Sequence, residues 1–220
     1  MTCRELIYRN ALREIEKIYE DSKYNPKEDL YRSYDIMNAI NGPQMDSKQW
    51  LVDTLVPFLI PKYLYFELRD VLVLGAWYGV TGLLLREHID PSVKIWNIDS
   101  DPECENYSNI LKQDIPYVEN NISITADAAE YYFDNFDAYQ LIINTSCEHM
   151  DPDDIRLLID MKPPETLCCF QSNNFHKEPE HINTHNSVEE FVESLGLAHV
   201  LWSGTLKPSV EYERYMVIGL

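Results

Sequence analysis

Positive charge is what this sequence has least of. Eighteen lysines and arginines stand against thirty-seven aspartates and glutamates in 220 residues, a formal net charge of -19. A field of that sign repels phosphate backbones and favours solubility, so it disfavours nucleic acid as a partner. No run of Lys or Arg offsets it. Arg9, Arg13 and Lys17, spaced four apart, read as the solvated face of a first helix. The five cysteines, Cys3, Cys104, Cys147, Cys168 and Cys169, include no CxxC pair. An odd number without that spacing argues against a disulfide frame or a zinc site, and for reduced thiols. The opening stretch MTCRELIYRN has no apolar signal core. No apolar run approaches the length that spans a bilayer. Internal repeats and low-complexity tracts are missing too. These absences lead to the expectation of a cytoplasmic protein with no membrane partner.

What is present is an ordinary globular composition, 45% hydrophobic and 25% charged, in a chain long enough to bury one good core with a small appended subdomain. It divides in two. Residues 1–66 read as a helical segment. Thr2 and Glu5 form a capping box, and Tyr8, Ala11, Leu12, Ile15, Ile18 and Tyr19 then recur at helical spacing to about residue 21. A second helix is expected over 29–40, stopped by Asn-Gly-Pro. A third is expected from a cap at Asp46 or Ser47, with Pro57 and Pro61 near its end. Residues 67–220 change texture: five apolar strands, each followed by a helical stretch, then two strands joined by a Lys-Pro-Ser turn. Repeated strand–helix units require right-handed crossovers and a parallel sheet covered on both faces. The closing hairpin adds an antiparallel strand.

The strand ends carry the candidate chemistry, because ligands of open parallel sheets bind beyond the carboxyl ends of the strands. VLVLGAWYGVTGLLL (71–85) runs from strand to helix through Gly75, Trp77 and Gly79, and the helix start at Gly79 and Gly82 favours a polar or anionic group. Its spacing, G-x-x-x-G-x-x-G, is neither the dinucleotide pattern nor a phosphate loop. The second strand ends in NIDSDP, placing Asp99 and Ser100 where a carboxylate can accept ribose hydroxyls. The third ends in TADAAE, placing Asp127 and Ala128 within reach of an adenine ring. The fourth ends in INTSCEHMDPDD, placing Asn144 and Glu148 at the crevice. Each Asp can equally be a plain helix cap. Three consecutive strands ending in polar groups favour a ligand.

In this order the motifs resemble the class I S-adenosylmethionine-dependent methyltransferases over about residues 68–220. VLVLGAWYGVTG is similar to their glycine-rich first motif, IWNIDSDPECEN to the ribose-binding second, ITADAAEY to the third and AYQLIINTSCEHM to the fourth. The resemblance implies a Rossmann-like seven-stranded sheet of order 3-2-1-4-5-7-6. It also implies S-adenosylmethionine as cofactor and a small-molecule or protein acceptor. Gly75, Trp77, Gly79, Asp99, Ser100, Asp127, Ala128 and Asn144 would then hold the cofactor. Two positions depart from the family. Val73 stands where an acidic residue is usual, and Trp77 where a middle glycine is usual. An indole there either blocks the cofactor, leaving a methyltransferase-shaped scaffold or regulator, or turns outward and roofs it.

Methyl transfer is an in-line displacement that needs a positioned nucleophile and a group to take its proton. The candidates include Asn144, Glu148, His149 and His181, with Glu148 or His181 as base. Lys48, Asn173 and Asn174 are candidates for holding the acceptor, and Gln44, Lys48 and Trp50 for closing over it. His176, His181 and His185, with Glu178 and Glu180, match no tight metal spacing, so no metal is expected. Cys147 reads as a buried thiol before it reads as a nucleophile. A nicotinamide-dependent oxidoreductase is a further alternative. Its Tyr–Lys pair, spaced four apart, occurs here only as Tyr19 and Lys23, ahead of the cofactor strand.

Overall fold

A computed structural model describes residues 1–21, 26–59 and 67–220. Pro61, residues 22–25 of the first break and the division drawn at residue 66 lie outside the described residues. Three helices come first: α1 (Cys3–Asp21), α2 (Pro26–Ala39) and α3 (Gly42–Leu55). The capping box forms as expected. Thr2 N donates to Glu5 Oε2 at 2.8 Å and Glu5 N to Thr2 Oγ1 at 3.2 Å. The start of α3 corrects the sequence reading. Asn41 caps it, its Oδ1 accepting from Gln44 N at 2.9 Å, and Pro43 sits in the first turn, where a missing N–H costs nothing. Asp46 instead pairs with Arg4 at 2.9 Å. The same Asn-Gly-Pro that stops α2 starts α3.

The remainder alternates β1 (Asp70–Leu74), α4 (Val80–Arg86), β2 (Lys94–Asp99), α5 (Cys104–Leu111), β3 (Asn121–Thr125), α6 (Ala128–Asn135), β4 (Leu141–Asn144), α7 (Pro152–Met161), β5 (Leu167–Asn173) and α8 (Val188–Leu195). It closes with β6 (Val200–Leu206) and β7 (Arg214–Gly219). The sheet order is β3-β2-β1-β4-β5-β7-β6. The first five strands are parallel, and β7 runs antiparallel to both β5 and β6. This is the architecture the motif order implies, with the chain reversal at β1/β4 leaving a crevice above the strand ends.

Side chains alternate across the sheet. Val71, Val73, Ile95, Leu141, Ile143, Cys169 and Ile218 face a core shared with α1 to α5. Leu72, Leu74, Ile98, Ile142, Cys168, Phe170 and Val217 face the core under α6, α7 and α8. The adjacent cysteines thus belong to opposite faces. The N-terminal helices contribute Ile7, Ala11, Ile36, Met45, Leu51 and Leu55 to the first core, so they are structural parts of the sheet's cover as well as neighbours of the crevice. All five cysteines are free and buried, and burial raises the Cys147 thiol well above its ordinary range. No helix among the described residues is long and apolar enough to cross a membrane.

Candidate active site

A cavity of about 630 Å³ opens above the carboxyl ends of β1, β2, β3, β4 and β5, a size usual for small-molecule sites. The loop after β1 forms its middle. Gly75 has a φ of 57° and lies against Ser146, where an added Cβ would come within 2.5 Å of the serine Cβ. Only glycine fits there. Thr145 Oγ1 and Ser146 Oγ both donate to Gly75 O, at 3.2 and 3.1 Å, tying the β1 and β4 exits together. Trp77 has a φ of 49°, a conformation that a non-glycine residue adopts only when its surroundings hold it. Two contacts do so. Its backbone N donates to Asp99 Oδ2 at 2.7 Å, and its indole Nε1 to Asp35 Oδ2 of α2 at 3.3 Å. Tyr78 also donates from its hydroxyl to Asp35 and accepts from Arg32 Nη1 at 3.0 Å. Arg32 reaches Asp101 at 2.9 Å. The aromatic pair in GAWYG is therefore what α2 grips.

At one end, Asp99 Oδ1 accepts from Asp101 N at 3.1 Å and Oδ2 from Trp77 N, and the Cys104 thiol also bonds this carboxylate, so lone-pair capacity for a hydroxyl group remains on one oxygen. Asp127 caps α6, accepting from Ala129 N and Glu130 N at 2.9 and 3.0 Å, and also lines the cavity with Ser100 and Ala128. Asp127 thus caps α6 and lines the cavity at once.

At the other end lie Gln44, Lys48, Glu148, His149, Gln171 and Arg214. Glu148 is 3 % exposed. Its Oε1 accepts from Asn173 Nδ2 at 2.7 Å and from Arg214 Nη1 at 2.7 Å, and Arg214 also donates to Thr145 O. Arg214 opens β7 opposite Asn173, and only the hairpin register could have exposed it in the sequence. Lys48 is buried and donates to Gln44 Oε1 at 2.9 Å, its ammonium 5.9 Å from the centre of the Trp77 ring. Burial lowers its pKa from 10.5 to about 7. The Arg214 cation adds to that effect, and the Glu148 carboxylate opposes it.

Of the sequence-derived candidates, Gly75, Trp77, Asp99, Ser100, Asp127, Ala128, Lys48 and Glu148 line this one cavity. Gly79 lies outside its lining, holding the start of α4 with a φ of 70°. Asn144 also lies outside it. It is fully buried, its Oδ1 accepts from Ser146 N at 2.9 Å, and its amide faces Met150 Sδ. Asn173 points at Glu148, and Asn174 accepts from Glu213 N at 2.7 Å, so neither lines the cavity. His181 sits beside the cavity with Nδ1 on Phe175 O at 2.8 Å and its ring against His149. His185 is instead a core residue against Phe191. Trp50 stacks edge-on with Trp202. Sequence reasoning missed Asp35, Arg214 and the lining residues Thr145 and Ser146.

No protein-family model matches the chain, and no curated protein matches it at a significant level. Solved structures do. A geranyl diphosphate methyltransferase in complex with GPP and sinefungin aligns at a TM-score of 0.58 and 9% identity, over 76% of this chain and 75% of that one. The N-methyltransferase NodS from Bradyrhizobium japonicum WM9 aligns at 0.58 and 14% identity, over 82% and 98%. The N-terminal domain of EvdMO1 with SAH bound aligns at 0.54 and 14% identity, over 78% and 80%. The chain has the Rossmann-like fold of the class I methyltransferases.

Proposed function

We propose that this protein is an S-adenosylmethionine-dependent methyltransferase acting on a small-molecule or protein acceptor. The observation that carries the reading is the single cavity joining Asp99, Asp127 and the Gly75–Trp77 loop to a polar end built from Lys48, Glu148 and Arg214. The residues present fit the cofactor. Asp99 has lone-pair capacity left for a ribose hydroxyl, Asp127 and Ala128 line the cavity where they would flank an adenine, and the Trp77 indole is anchored on α2. The names of the matched structures, with SAH or sinefungin bound, support the same cofactor.

The cofactor supplies a methyl group on a positively charged sulfonium. The chain's part is to position, enclose and accept a proton. Gly75, Thr145 and Ser146 fix the loop at the middle of the cavity, and Trp77 and α2 cover it. Lys48, whose ammonium form burial disfavours, is the group suited to take the acceptor's proton. Glu148, held by Arg214 and Asn173, fixes the wall of the acceptor end. Five reduced thiols and the acidic surface fit a cytoplasmic protein whose acceptor is not free nucleic acid.

Thermal unfolding with added ligand tests this. At a hundredfold excess over Kd a ligand adds about 2.7 kcal/mol, roughly 5–10 °C for a chain of this size. S-adenosylhomocysteine is expected to give that rise and reduced nicotinamide cofactor none. A rise with the nicotinamide alone would move the protein to the oxidoreductases. A rise with neither would favour the scaffold reading that the indole in the cavity motivates.

A further inference from the structure

The acceptor end of the cavity holds a second kind of site. One ligand atom each from Glu148, His149 and His181 lie within 4.8 Å of one another. Glu148 Oε2 is buried and has no hydrogen-bond partner among the described residues, while Oε1 is fully used by Asn173 and Arg214. A buried carboxylate oxygen left bare is costly and calls for a partner. His181 is already set as a ligand. Its Nδ1 lies 2.8 Å from Phe175 O, so that nitrogen carries the proton and Nε2 keeps the free lone pair. His149 stacks edge-on with it, ring centres 4.6 Å apart.

We propose that Glu148, His149 and His181 bind one divalent first-row transition ion, Zn²⁺ being the best match, with its open position toward the cavity. Two imidazoles and one carboxylate form a donor set that suits zinc or ferrous iron and leaves room for an exogenous oxygen ligand. A tetrahedral site with bonds of about 2 Å has donors roughly 3.4 Å apart. Closing that gap falls to the exposed His149, while His181 stays held by Phe175 O. The Arg214 guanidinium stays on Oε1 and leaves Oε2 to the ion. Glu178 and Glu180 on the cavity lining and the net charge of -19 offset the added positive charge. The five cysteines are buried and none belongs to this cluster. The histidine spacing hides the site in the sequence, because His149 and His181 come from different strand exits. The donors carry this inference independently of the methyltransferase reading.

Tag-free full-length protein is titrated with Co²⁺ and followed by its visible ligand-field bands, then with Zn²⁺ as competitor. The expected result is one ion per chain with tetrahedral-type bands, displaced by Zn²⁺. H149Q and H181Q are each expected to weaken binding at least tenfold, and H176Q to leave it unchanged. Circular dichroism and a thermal melt establish that each variant is folded. Absence of stoichiometric binding by the folded protein overturns the proposal, as does binding that survives both H149Q and H181Q. S-adenosylhomocysteine affinity measured on the same samples separates the two readings: loss of either binding leaves the other standing.

Discussion

Trp77 occupies a left-handed backbone conformation that glycine adopts freely, and its indole is bonded to Asp35 of α2 while lining the cavity. Replacing it by glycine would relieve roughly 1 kcal/mol of backbone cost but would remove the link to the overlying helix. W77G is therefore expected to bind S-adenosylhomocysteine no more tightly than the wild type, measured by calorimetry. A tenfold gain would mean that the indole obstructs the site. Lys48 gives a pH signature. Between pH about 7 and 10.5 the unfolded chain keeps a proton on this lysine that the folded chain has released. Its penalty on stability is therefore full below about 7 and fades as the pH rises to 10.5. The groups that set it are Arg214, Glu148 and the bulk of the surrounding protein. K48M is expected to be more stable than the wild type at pH 6 in urea, with the advantage shrinking by pH 10.

At the scale of elements, α2 is fastened to the residues beyond β1 and β2 by Arg32 and Asp35, which meet Trp77, Tyr78 and Asp101. D35A is expected to leave the fold intact while speeding hydrogen exchange of the α2 amides over residues 30–39 and weakening ligand binding severalfold. Unchanged exchange would show that α2 is held by its apolar face alone. The sequence makes the strands and most helices readable, because their apolar periods and Asp or Ser caps are local signals, as with Asp127, Asp151 and Ser187. It misplaces α3, because Asn-Gly-Pro serves both as a stop and as a start. The site divides the same way. Asp99 and Asp127 stand at strand ends and are legible from position, whereas Arg214 and the His149–His181 pair depend on strand register and loop return. Asn144 and Asn173 were legible as polar residues near the crevice, but their side chains are spent on Ser146 and Glu148, a direction that spacing does not encode.

The whole molecule is organised around a sheet whose one face is covered by the N-terminal helices. Their apolar residues belong to the same buried cluster as β1, β2 and β4. Removing residues 1–66 would leave only α4 and α5 on that face, and a chain starting at residue 67 is expected to aggregate or to unfold without a cooperative transition. A soluble fragment melting in one sharp step would show that the helices are an independent appendage. This assembly forms the cavity, and Asp99 is the residue of its lining on which cofactor binding depends most. Isothermal titration of the full-length protein and of D99A with S-adenosylmethionine tests it most directly. One site per chain is expected in the wild type and at least tenfold weaker binding in D99A, the loss expected for charge-assisted hydrogen bonds of about 1.5–3 kcal/mol. A folded wild-type sample that takes up no cofactor, or a D99A protein that binds it equally well, would contradict it.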